Sequence, residues 1–135
     1  MGTFKTAIIL VLAAFFLTGC SLSPEEKVGR ELLLKQAVEG FVSAAVELNW
    51  AEVYRLSDGS FDSSEKLKAH LMKSWVSDAT LTGGDVAAMA WINDKTAKVK
   101  VNWAFQNGSV QSTSSETFVW VWKGNAWKYK GRALR

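Results

Sequence analysis

The chain has one cysteine, one proline and one histidine in 135 residues. A lone histidine excludes a histidine-rich metal site, and a lone cysteine excludes an internal disulfide and a thiolate zinc cluster. The phosphate-cradling, dinucleotide-binding, nucleophile-elbow and zinc-protease patterns are all missing. No cofactor is expected. A membrane-spanning helix needs roughly 20 apolar residues, and the unbroken run Ala7 to Leu17 is too short for that. There are no internal repeats and no low-complexity linker.

What is present begins with an ordered leader. MGTFK carries one positive charge, Lys5; an apolar run follows; Thr18 and Gly19 are small. A charged start, a greasy middle and small residues at the cut describe a secretory signal peptide, so residues 1–19 are set aside from folding. The cysteine, Cys20, stands at that cut. Leu17-Thr18-Gly19-Cys20 resembles the lipobox of bacterial lipoproteins. The resemblance covers only the first twenty residues. It implies a diacylglycerol on the Cys20 thiol, cleavage between Gly19 and Cys20, and an acylated new amino terminus. The alternative is a plain cleaved leader with a leftover thiol. Acyl chains anchor by burying CH₂ groups at about 0.8 kcal/mol each, and more than one chain holds stably. In Gram-negative lipoproteins a residue other than aspartate after the cysteine, here Ser21, implies the periplasmic side of the outer membrane.

The chain from Cys20 onward has the size of one domain. From Ser21 to Glu65 nine residues are acidic and four basic; from Lys66 to Arg135 four are acidic and eleven basic. Such a contrast can mark a nucleic-acid partner. An exported lipoprotein makes that partner unexpected, so the excess is read as a basic solvated face.

Ser23-Pro24-Glu25-Glu26 is a helix start, with a capping serine, proline at the first helical position and glutamate three residues after the cap. Leu34, Val38, Phe41, Val42, Ala45 and Leu48 then form one apolar stripe. Extended backwards, that stripe meets Glu31 and Lys27. The first two turns are therefore expected to be a solvated spacer, with residues 20–25 as the lipidated end and 26–135 as one α+β domain. Asn49 caps a second short helix, and Asp62-Ser63-Ser64-Glu65 caps a third, reaching Trp75. Gly83-Gly84 breaks the chain, and the apolar period changes from 3.6 to 2.

Four strands in a meander are expected after that break, with turns at Asn93-Asp94, Asn107-Gly108 and Gly124-Asn125. Two-residue loops place Phe105 near Val110, Ala97 near Phe118, Trp122 opposite Trp127 and Trp120 opposite Tyr129. One face then carries Val99, Val101, Trp103, Phe105, Phe118, Trp120, Trp122, Trp127 and Tyr129. The other carries Lys98, Lys100, Val119, Val121, Lys128, Lys130 and Arg132. Helices first, then a long antiparallel meander, is an α+β pattern. With NWAEVYRLSDGSF between two helices and the closing stretch FVWVWKGNAWKYKG, it resembles the nuclear transport factor 2-like (cystatin-like) superfamily. That resemblance implies a curved four-stranded sheet wrapped round helices into a cone. Its members include isomerases, dehydratases, cyclases and binding modules, so fold alone does not choose an activity.

Candidate chemistry rests on few residues. His70 lies on the apolar side of the third helix, either as a general base in the cone or as a histidine at the core margin. If the third strand runs without a bulge, Ser112, Ser114 and Glu116 join the aromatic face with Trp103, Trp120, Trp122 and Tyr129, and form a pocket. Burial favours the neutral form of a carboxyl group, which suits proton transfer. If the strand bulges, this polar stretch turns outward. A tight Asn93-Asp94 turn puts Met89 and Trp91 on the outer face with Val119 and Val121, an apolar patch rimmed by lysines that fits a protein interface. A shifted register buries Trp91 instead. The expected function is a membrane-anchored envelope module for a protein partner or a small apolar ligand, with the outer face also available for a homodimer. The alternative is an isomerase or lyase working through Glu116 or His70.

Overall fold

The computed structural model describes residues 22–76 and 78–133; the expected signal peptide, Gly19 and Cys20 lie outside them. Helix α1 is Pro24–Val46, α2 is Trp50–Arg55 and α3 is Ser64–Met72. Strands β1 (Thr80–Asn93), β2 (Thr96–Asn107), β3 (Val110–Lys123) and β4 (Ala126–Arg132) form one antiparallel sheet in the order β1-β2-β3-β4. The fold is α+β, with helices packed on one face of an open sheet. No described helix is long and apolar enough to cross a membrane.

The start of α1 is as its sequence dictates. Ser23 Oγ accepts from Glu26 N at 3.1 Å, Glu26 Oε1 accepts from Ser23 N at 3.4 Å, and Pro24 fills the first turn. Leu34, Val38, Phe41, Val42 and Ala45 are buried. Leu48 is not: the helix ends at Val46, and Leu48, at φ 60°, turns out to 65% exposure.

The first turns of α1 are not a free spacer. The Arg30 guanidinium lies 4.4 Å over the Trp122 ring and donates to Asp94 O at 3.0 Å. Trp127 Nε1 donates to Arg30 O at 2.9 Å, and Trp91 Nε1 to Glu31 Oε1 at 2.7 Å. Lys27 Nζ sits 5.6 Å from the centre of the Trp91 ring. Charged side chains pack here because tryptophan offers both a π face for a cation and an N–H for a carboxylate. An apolar-stripe rule is blind to that.

The faces of β2, β3 and β4 follow the expected phase up to Tyr129. Gly124 and Asn125, both at positive φ, close the β3–β4 turn, and Trp122↔Trp127 and Trp120↔Tyr129 pair as expected. The β2–β3 loop is Gly108-Ser109 rather than Asn107-Gly108, so Phe105 meets Ser112 and Ala97 meets Trp120. That shift moves partners by two positions, which leaves every side chain on its face. Gly83-Gly84 does not break the chain: β1 passes through it with an irregularity between Leu81 and Gly83. Glycine is required at 84 because a Cβ there would lie 2.9 Å from Val42 Cγ1 and 3.2 Å from Trp103 Cε3.

The core is aromatic. Trp103, Trp120, Tyr129, Phe41, Phe105 and Phe118 are essentially inaccessible to solvent. Phe41 of α1 stacks on Tyr129 at 4.7 Å and meets Trp120 edge-on at 5.2 Å. The Nε1 atoms of Trp75, Trp103 and Trp120 are buried with no hydrogen-bond partner among the described residues, each an unmet donor costing about 1–3 kcal/mol.

Candidate functional site

The site forms where β4 departs from its regular pairing. Trp120 pairs with Tyr129, but Val119 pairs with Gly131, so Lys130 is an extra residue on β4. Gly131, next to it, stands at φ 155°, a backbone conformation that residues with a side chain rarely adopt. Arg132 then pairs with Phe118 and lies on the covered face, not on the outer face expected for it. The bulge thus falls in β4 rather than β3. Strand β3 pairs with β2 without interruption from Val110 to Val121, so Ser112, Ser114 and Glu116 do share the face of Phe118 and Trp120. Gly131 inside a strand is the signal that could have revealed the bulge.

Arg132 is the hub. Its Nε donates to Glu116 Oε2 at 2.6 Å, and its Nη2 donates to Ser74 Oγ at 2.8 Å and to Leu71 O at 3.2 Å. Ser74 Oγ donates in turn to Glu116 Oε1 at 2.6 Å. Arg132 Nη1 lies 3.3 Å from His70 Nδ1, and His70 Nε2 lies 2.9 Å from Tyr129 Oη. The cluster ties the end of α3 to β3 and β4. Beside it lies an open cleft of about 580 Å³ lined by Ser74, Ser114, Glu116, Thr117, Arg132 and Ala133, among others.

Electrostatics follows from burial and from that guanidinium. Burial lowers the His70 pKa below the usual imidazole range, and the Arg132 charge lowers it further. Burial also pushes the Tyr129 phenol well above its ordinary value, so it stays protonated. A neutral imidazole has one lone pair for these neighbours; a protonated one has none and faces Arg132 as a like charge. Unfolded, His70 titrates near 6.5. Between its lower folded value and about 6.5 the unfolded chain holds more protons, so stability rises with pH across that window and is lost on acidification. Tm should therefore fall between about pH 7.5 and about pH 5, and His70→Asn should flatten the fall. Identical Tm profiles for the two proteins would remove the assignment.

Chemically, the cluster is a clasp. Both Glu116 carboxylate oxygens already accept bonds, one from a cation and one from a hydroxyl. Trp103 and Trp120 lie deep in the core, while Trp122 is half-buried at the far end under Arg30. The structure therefore brings Glu116, His70 and Tyr129 together through Arg132, with Ser114 on the adjoining cleft wall, and leaves Trp122 elsewhere. Among the described residues no group of three or more His, Cys, Asp or Glu side chains is placed to hold a metal ion.

The expected outer patch is divided. Met89 pairs with Val99 and Trp91 with Ala97, which puts both on the helix-covered face, where Trp91 packs on Trp127 at 5.6 Å. Val119 and Val121 remain on the open face, paired with Lys98 and Thr96 and beside Gly131 and Lys128. The tight turn is Asp94-Lys95, and irregularities between Val86 and Ala88 and between Trp91 and Asn93 reset the register of β1.

The fold is similar to that of a SEC-C motif containing protein from Rhodopseudomonas palustris, solved in solution. The TM-score is 0.51 at 11% identity, over 69% of this chain and 71% of that one. No family model matches the chain, and neither does any curated protein.

Proposed function

We propose that the chain is a lipid-anchored envelope module that binds a protein partner on its open sheet face, on a nuclear transport factor 2-like scaffold. The observation that carries the anchor is local: Leu17-Thr18-Gly19-Cys20 is followed, after Ser21 and Leu22, by the Ser23 cap of α1. An acyl group on Cys20 would hold the domain directly against the bilayer, on the periplasmic side of the outer membrane by the Ser21 rule. Binding rather than catalysis is favoured because the Glu116 carboxylate is occupied by Arg132 and Ser74. A second reading, an isomerase or lyase, draws on the convergence of Glu116, His70 and Tyr129 beside the cleft.

The open face carries Lys98, Lys100 and Lys128 around Val119 and Val121. An isologous dimer through that face would bring two copies of this lysine-bearing surface together. The partner that fits is therefore acidic, with an apolar centre to cover the valines.

The anchor is tested by fractionating membranes from cells that express Cys20→Ala, together with intact-mass analysis of the wild-type amino terminus. The variant should leave the membrane fraction or remain uncleaved, and the wild type should carry acyl mass. A bare Cys20 in the native protein would overturn the reading.

A further inference from the structure

The sheet treats its edges unequally. The outer edge of β4 is covered: Tyr129 N donates to Leu56 O at 2.8 Å, and Asp58 N to Tyr129 O at 2.9 Å. Strand β1, the opposite edge, is broken by three register irregularities, a common way to blunt an edge. Strand β4 pairs only with Phe118–Lys123, however, and Ala133 N then reaches Thr117 O at 2.9 Å. From Val110 to Glu116, β3 has β2 on one side and no described strand on the other. That stretch, VQSTSSE, has no proline, no lysine and no register irregularity.

The hairpin geometry says which groups the edge presents. In a two-residue loop the flanking pair, here Asn107 and Val110, exchanges both backbone bonds. By alternation Ser112, Ser114 and Glu116 bond back to β2, and Gln111, Thr113 and Ser115 point their N–H and C=O groups outward. Thr117 belongs to the outward set, and its carbonyl is the one that Ala133 N meets.

We infer that the edge of β3 from Gln111 to Ser115, which no described strand covers, pairs antiparallel with the same segment of a second copy of this chain. Strand β3 is self-complementary about Thr113. In that register Thr113 exchanges both bonds with its own copy and Gln111 with Ser115. Ser112 lies across from Ser114 and Val110 from Glu116, so no like charges are opposed. The other edges do not offer this: β1 is irregular and β4 is covered. The two-fold axis stands perpendicular to the joined sheet, which keeps both helix layers, and both α1 amino ends, on one side. Two anchored copies can therefore pair on one bilayer. Five residues of strand bury less than the roughly 1,200–2,000 Å² of a stable interface. The pairing is thus weak in dilute solution and gains from confinement of both copies to a membrane. It does not depend on the acylation proposed above.

The test is oxidative cross-linking of the full chain in intact expressing cells, with one cysteine added per chain at an exposed position. Thr113→Cys meets its own copy and should give a double-mass band. Gln111→Cys alone lies about 13 Å from its copy and should give at least about tenfold less, within reach of no direct disulfide. Co-expressed Gln111→Cys and Ser115→Cys chains should restore the band. Lys98→Cys on the open face serves as the collision control. Each variant is run with Cys20 intact and with Cys20→Ala, so that failure of the anchor and failure of the pairing read out separately. A band in both backgrounds, or only in the anchored one, supports the pairing. No Thr113→Cys band in either background, a band no stronger than that of Lys98→Cys, or a cross-link only to a chain of different mass would overturn it. Thr113→Lys, which opposes two charges on the axis and leaves the β2 bonds intact, should abolish pairing detected by hydrogen exchange at Gln111, Thr113 and Ser115, without lowering Tm.

Discussion

Trp120→Ala should remove about 3–5 kcal/mol, a large share of the stability of a domain of this size. The ring is fully buried, meets Phe41 at 5.2 Å and Tyr129 at 5.8 Å, and occupies the centre of the aromatic core. Truncating a buried tryptophan removes its transfer free energy and leaves a cavity, together about 3–5 kcal/mol. A domain of this size is stable by only about 5–15 kcal/mol. Trp120→Phe should cost far less, about 1 kcal/mol. It loses one ring of volume, but it also removes an indole N–H that is buried without a partner among the described residues. Urea denaturation monitored by fluorescence of the remaining tryptophans measures both. Equal losses for the two variants would mean that the indole N–H is satisfied in solution, and the argument from the unmet donor would fall.

Arg132→Met should cost about 2–3 kcal/mol, and the reason is the partner left behind. The Glu116 side chain is only 9% exposed and that of Arg132 27%. Removing the cation strands a largely buried carboxylate, a change worth about 3–5 kcal/mol when burial is complete and less here because Arg132 reaches solvent. The same substitution frees Leu71 O and Ser74 Oγ from their donor. Adding Glu116→Gln to Arg132→Met should return most of the loss, because the stranded charge disappears. The double-mutant cycle then isolates the coupling between the two residues. If the double variant is as unstable as the sum of the singles, Arg132 acts through packing alone and the clasp is not electrostatic.

Expectation and structure part at identifiable residues. The capping box at Ser23, the buried stripe from Leu34 to Ala45 and the shared face of Val99, Trp103, Phe118 and Trp120 all follow from patterns within a few residues of each other. Such patterns reflect backbone periodicity, which the local chain sets by itself. The first turns of α1 were misread because Lys27, Arg30 and Glu31 find partners 60 or more residues away, in Trp91, Asp94 and Trp127. Arg132 was placed on the wrong face by the single inserted residue Lys130, since one extra residue inverts every side chain after it.

From its residues alone, then, this chain settles where its helices start and which positions of β2, of β3 and of β4 up to Tyr129 face inward. It also sets out the lipobox-like end on which the proposed anchor stands. Tertiary structure decided the rest. The bulge at Lys130 sends Arg132 to Glu116, irregularities in β1 carry Trp91 under α1, and the shortness of β4 leaves half of β3 with no described strand on its second side. Periodicity is a property of neighbours along the chain, whereas register and ion pairing are settled between segments that meet only in the folded molecule.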